Sequence, residues 1–261
     1  MLPALTQLLI FQLIGEVFAR WLSDPACRDA SGALLSLPRI GPAPSFEALS
    51  RSVNQDAVDL PAKPVFKADP MNITLVVESG DHHISVLDGD TFAVLDRFGT
   101  PFAVHGGPKF SPDGRYVFIM SRDGWVQKYD IWSLAEVGRT RAGLNSRNIA
   151  MSADGKWLAV ANYLPTTLTI LSTDDLTVKK VIDVTGRDGT PSRIAAVYQA
   201  PQRETFVLAL KDVPEIWEIA TDKDGGPYTE AFVHSNESGM EEALGVERGL
   251  FARRRIAVSA P

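Results

Sequence analysis

The sequence predicts an all-β fold, a β-propeller with WD40-like four-stranded blades, and three observations carry that prediction. FSPDGRYVFIMSRDG from Phe110 and AMSADGKWLAVANY from Ala150 are versions of one unit, with Ser111 and Ser152 standing 41 residues apart. One propeller blade takes roughly 40–45 residues. LDGDTF from Leu87, YDIWSL from Tyr129 and LSTDDL from Leu171 repeat a second strand end and turn every 42 residues, and EIATDK from Glu218 is a looser fourth copy after a longer interval. Between these marks the chain runs in short β-branched and aromatic stretches punctuated by Gly, Pro and Asp, the pattern of short strands joined by tight turns.

In chain order, residues 1–23 are apolar but interrupted by Gln7, Gln12, Glu16 and Arg20. A spanning helix needs about 20 mostly uncharged residues, and an export signal needs a basic leader. The segment therefore reads as an amphipathic N-terminal helix at a surface or interface, as a degenerate signal or anchor, or as an accidental terminus from a truncated or fused reading frame. Residues 24–59, rich in Pro, Ala and Ser without a period, read as a linker. Residues 60–261 read as a partial propeller. NITLVVES, HISVLDG, RYVFIM, WVQKYDIW, KWLAVAN, LTILS, RIAAVY, TFVLAL and EIWEIA are its strands and fill about four blades. The tail from Gly239 begins like a short helix and ends in a strand, IAVSAP, with no closing partner after it. A ring that does not close leaves strand edges exposed, so the expectation is half of a larger ring, weighed against a complete four-bladed one.

Composition narrows the function. A net charge of −6 argues against a nucleic-acid partner, which leaves a basic footprint. The single cysteine, Cys27, rules out an internal disulfide, a CxxCH site for c-type haem and a Cys-rich metal cluster. The GxSxG, HExxH, GxxxxGK and GxGxxG patterns are absent, which removes the common hydrolase, zinc-protease and nucleotide readings.

The candidates that remain are few. His105 in FAVHGGPKF lies before a blade's inner strand, beside Gly106 and Gly107, where missing side chains let a flat ligand approach; it is either a metal ligand or a structural residue bonding a neighbouring loop. Arg122, Arg147 and Arg193 recur near blade turns, as guanidiniums aimed at carboxylates in a central pocket or as solvated and interblade residues. Tyr163 is open to hydrogen bonding, stacking or packing. His234 is a second ligand, an acid/base group or a loop residue. His82 and His83 read as ordinary hairpin residues.

LPAKPVFKADPMN from Leu60, VVESGDHHISVLDGD from Val76, FAVHGGPKFSPDGRYVFIMSRDGWVQKYDIWSL from Phe102, RNIAMSADGKWLAVANYLP from Arg147 and SRIAAVYQAPQRETFVLALKDVPEIWEI from Ser192 resemble, in order, the haem d1-binding propellers of the cytochrome cd1 nitrite reductase and dihydro-haem d1 dehydrogenase family. The resemblance implies an eight-bladed ring gripping haem d1 on its axis, of which this chain holds about half. It implies that His105 binds the haem iron and that Arg122, Arg147 and Arg193 surround the acidic side chains of the macrocycle. Tyr163 borders the ring, and His234 stands on the opposite face as the acid/base residue. The expected function is that of a denitrification redox protein, most like a dihydro-haem d1 dehydrogenase in haem d1 biosynthesis. The alternatives are nitrite reduction to nitric oxide on the same fold, or a non-enzymatic haem d1 carrier or protein-binding scaffold. The implied partners are a tetrapyrrole, a cytochrome c for electrons and a second copy in a homodimer, in the periplasm. The family's N-terminal cytochrome c domain with CxxCH is replaced here by the apolar and linker segments, so no c-type haem belongs to this chain.

Overall fold

The computed structural model of the chain describes residues 60–226, 228–229 and 246–258. Among them the regular structure is β apart from one 3-10 turn at Pro201–Arg203. β1 (Ile73–Glu78), β2 (His83–Asp88) and β3 (Val94–Gly99) form a first antiparallel blade. A second joins β4 (Lys109–Phe110), β5 (Tyr116–Met120), β6 (Trp125–Asp130) and β7 (Ala135–Arg141). A third joins β8 (Asn145–Met151), β9 (Trp157–Leu164), β10 (Thr167–Ser172) and β11 (Val178–Asp183). The fourth joins β12 (Ile194–Ala200), β13 (Thr205–Leu210), β14 (Glu215–Ala220) and β17 (Arg253–Ala257), with the two-stranded pair β15 (Tyr228–Thr229) and β16 (Val246–Glu247) placed before its last strand.

The repeated sequence marks are repeated structures. In the turn from β4 to β5 the Ser111 hydroxyl donates to Asp113 and accepts from the N–H of Tyr116, while Asp113 accepts from the N–H of Arg115. Ser152, Asp154, Lys156 and Trp157 make the same three bonds between β8 and β9. Gly114 and Gly155 take φ of +72° and +74°, which other residues resist. Each also lies on the preceding turn: a Cβ on Gly155 meets Pro112 at 2.6 Å, and one on Gly114 meets Met71 at 2.8 Å. The second mark recurs as a β-bulge after Val86, Lys128 and Ile170, each 42 residues from the last. A left-handed Phe92, Leu134 or Leu176 follows in the turn.

The strands read as continuous apolar runs because both faces of the middle blades are covered. In β5, Val117 and Ile119 pack with Ile84 and Val86 of the first blade. The intervening Phe118 and Met120 pack with Ile149, Leu158 and Val160 of the third. In β9 the next pair, Ala159 and Ala161, turns to Val197, Phe206, Leu208 and Trp217 of the fourth. Successive strand residues face opposite sides, so YVFIM and WLAVA serve two interblade layers at once. Asp130, fully buried at the end of β6, ties that strand to the start of β5 through Arg115 at 2.9 Å.

Two features differ from expectation. The first blade has three strands among the described residues: Asp69 occupies the place of Ser111, accepting from the N–H of Asn72 at 2.9 Å, yet the residues before it turn away. Val65 instead donates to the backbone oxygen of Trp132 at 2.9 Å in the next blade. The strand expected at IAVSAP begins earlier, at Arg253: Arg253–Ala257 pairs with β14 from Ile219 back to Glu215 and completes the fourth blade. Among the described residues no helix is long and apolar enough to cross a membrane.

Candidate functional site

Antiparallel pairing brings the start of each inner strand beside the end of the next strand. Val104 bridges Ser121, Asn145 pairs with Leu164, and Ile194 pairs with Leu210. His105, Arg122, Arg147, Tyr163 and Arg193 all fall within a few residues of these three junctions, so the fold gathers five of the six expected site residues at one end of consecutive blades. The sixth, His234, lies outside the described residues.

The backbone ties them together across blades. The Arg122 N–H donates to Ala103 at 2.8 Å and its carbonyl accepts from Ser146 at 2.9 Å, which clamps the second blade onto β8. His105 reaches further along β8, its Nδ1 standing 2.8 Å from the backbone oxygen of Arg147. A carbonyl only accepts, so Nδ1 carries the proton and the lone pair is left on Nε2, the form of imidazole that binds a metal. Gly106, at φ +81°, allows this approach: a Cβ there lies 3.3 Å from the Asn148 amide, whose oxygen accepts from the N–H of Val197 at 3.2 Å in the fourth blade.

Beneath Arg147 and Tyr163 sits a buried polar knot centred on Asn162. Its oxygen accepts from Ser146 at 2.6 Å, and its amide nitrogen lies 3.0 Å from the Ala142 carbonyl and 3.1 Å from the hydroxyls of Thr167 and Thr169. A satisfied network of this kind fixes one arrangement of the strands that carry it.

The charge at this end is positive. Arg122 is exposed and Arg147 half-buried, and neither has an ion-pair partner among the described residues. Around the Tyr163 ring stand Arg147 at 5.7 Å, Arg193 at 5.3 Å and Lys211 at 5.1 Å from its centre. Arg193 is paired with Asp212 through both carboxylate oxygens. The guanidinium and the Arg193 N–H hold that carboxyl down at about 2. Lys211, Asp212, Asn148 and Asn162 were not among the residues singled out from sequence. Lys211 and Asp212 occupy the loop after β13 that matches the Arg122 loop after β5, so their position in the repeat is the signal that finds them.

His83 sits in its hairpin with Nδ1 2.8 Å from the Asp81 carbonyl. His82 adopts φ +61° against Phe102. Among the described residues no three His, Cys, Asp or Glu side chains gather to hold a metal ion.

The model of the cytochrome D1 heme domain family matches residues 68–238. A dihydro-heme d1 dehydrogenase of Pseudomonas aeruginosa is 49% identical over 204 residues, 77% of this chain and 41% of that protein. Protein NirF of Pseudomonas aeruginosa is 32% identical over 149 residues, 56% of this chain and 38% of its own. The solved structure of dihydro-heme d1 dehydrogenase NirN in complex with DHE matches with a TM-score of 0.70 at 44% identity, over 86% of this chain and 44% of that one. The chain thus spans less than half the length of these relatives.

Proposed function

The chain belongs to the cytochrome D1 heme domain family, and from that premise we propose that it binds a d1-type haem at the His105 end of its blades and serves haem d1 biosynthesis, most like a dihydro-haem d1 dehydrogenase. The observation that carries this reading is the fixed tautomer of His105, with Nδ1 on the Arg147 carbonyl at 2.8 Å and Nε2 left to bind. Among the described residues His105 has no ligand cluster beside it, which would suit iron that arrives already held by a macrocycle. Gly106 lets the His105 loop close on Asn148 and Arg147 of the third blade, and Arg122 and Arg147, without ion-pair partners among the described residues, suit the macrocycle's carboxylates. The residues present therefore fit the group.

Haem d1, when bound, supplies the iron and conjugated ring whose electrons the reaction moves. This chain's residues would hold it: His105 would bind the iron, Arg122 and Arg147 would neutralise the acidic side chains, and Tyr163 would border the ring. Dehydrogenation takes two electrons and two protons from the reduced macrocycle. We assign the protons to His234 and the electrons to a separate cytochrome c, in the periplasm, with a homodimer as the assembly. The test is titration of the purified chain with dihydro-haem d1, followed in the Soret and red regions. Saturable binding with a shifted spectrum supports the reading; a spectrum identical to free haem overturns it. Assaying nitrite consumption beside macrocycle oxidation separates the activity from that of a nitrite reductase.

A further inference from the structure

Three cations border the Tyr163 ring, but their charges are not equivalent. Arg193 is engaged locally: its side chain meets both oxygens of Asp212, with 2.5 Å as the shortest contact, and its N–H meets the same carboxylate at 2.8 Å. Arg147 and Lys211 have no carboxylate partner within ion-pair distance among the described residues. Lys211 is placed rather than free to roam. Its N–H donates to the Arg193 carbonyl at 2.9 Å, and its ammonium lies 3.3 Å from the Tyr163 hydroxyl oxygen. An ammonium only donates, so the phenol oxygen accepts and its own proton is free to be given outward. Two cations from adjacent blades, neither in an ion pair among the described residues, and one available O–H donor therefore stand at a single aromatic ring.

We infer that Lys211, not Arg193, is the cation that acts with Arg147 and the Tyr163 hydroxyl to hold a carboxylate of the bound macrocycle. Arg193 is a positioning residue whose task is to occupy Asp212. Without that guanidinium the Asp212 carboxylate keeps only the Arg193 N–H as a partner and, being next to Lys211, competes with the ligand for it. The assignment rests on the haem d1 reading and refines one corner of it: a charge-assisted contact from the exposed end of the β13–β14 loop, at a position the arginine pattern in the sequence does not mark.

Absorbance titration of the full chain with dihydro-haem d1 tests this by affinity rather than turnover. Lys211 is exposed, so Lys211→Met keeps the melting curve of the parent, and it weakens binding roughly tenfold, the loss expected for one charge-assisted hydrogen bond. Arg193→Met also weakens binding, and adding Asp212→Asn restores it to within about threefold of the parent, because the competing carboxylate is gone. With the macrocycle's carboxylates methyl-esterified, the parent and Lys211→Met bind alike. Lys211→Met binding within twofold of the parent overturns the assignment, as does a double variant that stays as weak as Arg193→Met. A parent chain that binds no macrocycle at all overturns the haem reading itself, a different outcome from binding that is indifferent to Lys211.

Discussion

The Nδ1 of His105 lies 2.8 Å from the backbone oxygen of Arg147, so the imidazole at the start of the second blade is oriented by the inner strand of the third. The contact spans 42 positions in sequence, one repeat unit, and it makes the candidate ligand dependent on how two blades stack. Changes that loosen that stacking should be felt at His105 even where they touch no ligand atom.

Asn162→Ala removes the centre of the buried knot between β8, β9 and β10. It strands the Ser146 hydroxyl, which Asn162 meets at 2.6 Å, and leaves the Ala142 carbonyl with the Thr169 hydroxyl at 3.0 Å in place of the two donors it had. A buried group left without its partner costs about 1–3 kcal/mol, so urea unfolding of the variant should show a midpoint lowered to match. Because Arg147 and Tyr163 flank the knot, haem affinity should fall as well, which a purely distant destabilisation does not produce.

Gly124→Ala tests the close approach of the Arg122 turn to the third blade. Gly124 has φ +90°, and a Cβ there would lie 2.0 Å from the Gly143 carbonyl oxygen. The backbone conformation alone costs on the order of 1–3 kcal/mol, and the clash with backbone adds to it. Thermal melts should place this variant well below Gly80→Ala, since Gly80 has nothing within 4 Å of its Cβ position.

Arg115→Met leaves the Asp130 carboxylate, 0% exposed at its side chain, without its guanidinium. Breaking a buried pair from one side costs roughly 3–5 kcal/mol. Chemical unfolding at neutral pH should show a loss of that size, and Arg115→Lys should recover only part of it, since a lysine cannot reproduce the fork that meets both carboxylate oxygens.

The Arg193–Asp212 pair gives an acid limb with a definite sign. Arg193 lowers the Asp212 carboxyl from 3.8 to about 2. A depressed carboxylate contributes stability that is complete above its unfolded value and is lost as pH falls through the folded one. The difference in unfolding midpoint between the parent and Asp212→Asn should therefore be present at pH 6, shrink below pH 4 and vanish only as pH falls past about 2. A gap that widens toward low pH contradicts the pairing.

Much of this was legible in the sequence because the repeat is carried by residues with local jobs. Ser111, Asp113 and Gly114 close a turn whose bonds are all within five residues, so their recurrence at Ser152, Asp154 and Gly155 needs no tertiary knowledge to read. The outer strands were harder. Val178–Asp183 reads VKKVID, and an edge strand that carries charge toward water loses the apolar signature of β9 or β5. The open side of the first blade was hidden for another reason: Asp69 keeps the turn, and only the Val65–Trp132 bond reveals that the chain leaves before forming an inner strand. At the site, sequence and resemblance singled out His105 and the arginines. That Arg193 is already paired while Lys211 is not depends on which side chains the β12 and β13 ends bring together, a non-local fact that spacing does not encode.

The central claim is that His105 binds the iron of a d1-type haem, and the most direct measurement is imidazole rescue of His105→Gly, read in the Soret and red absorbance during titration with dihydro-haem d1. The variant should lose the ligand-shifted spectrum, and free imidazole, entering the space left by the side chain, should restore it. A His105→Gly chain that binds with the parent's spectrum and affinity before any imidazole is added would contradict it.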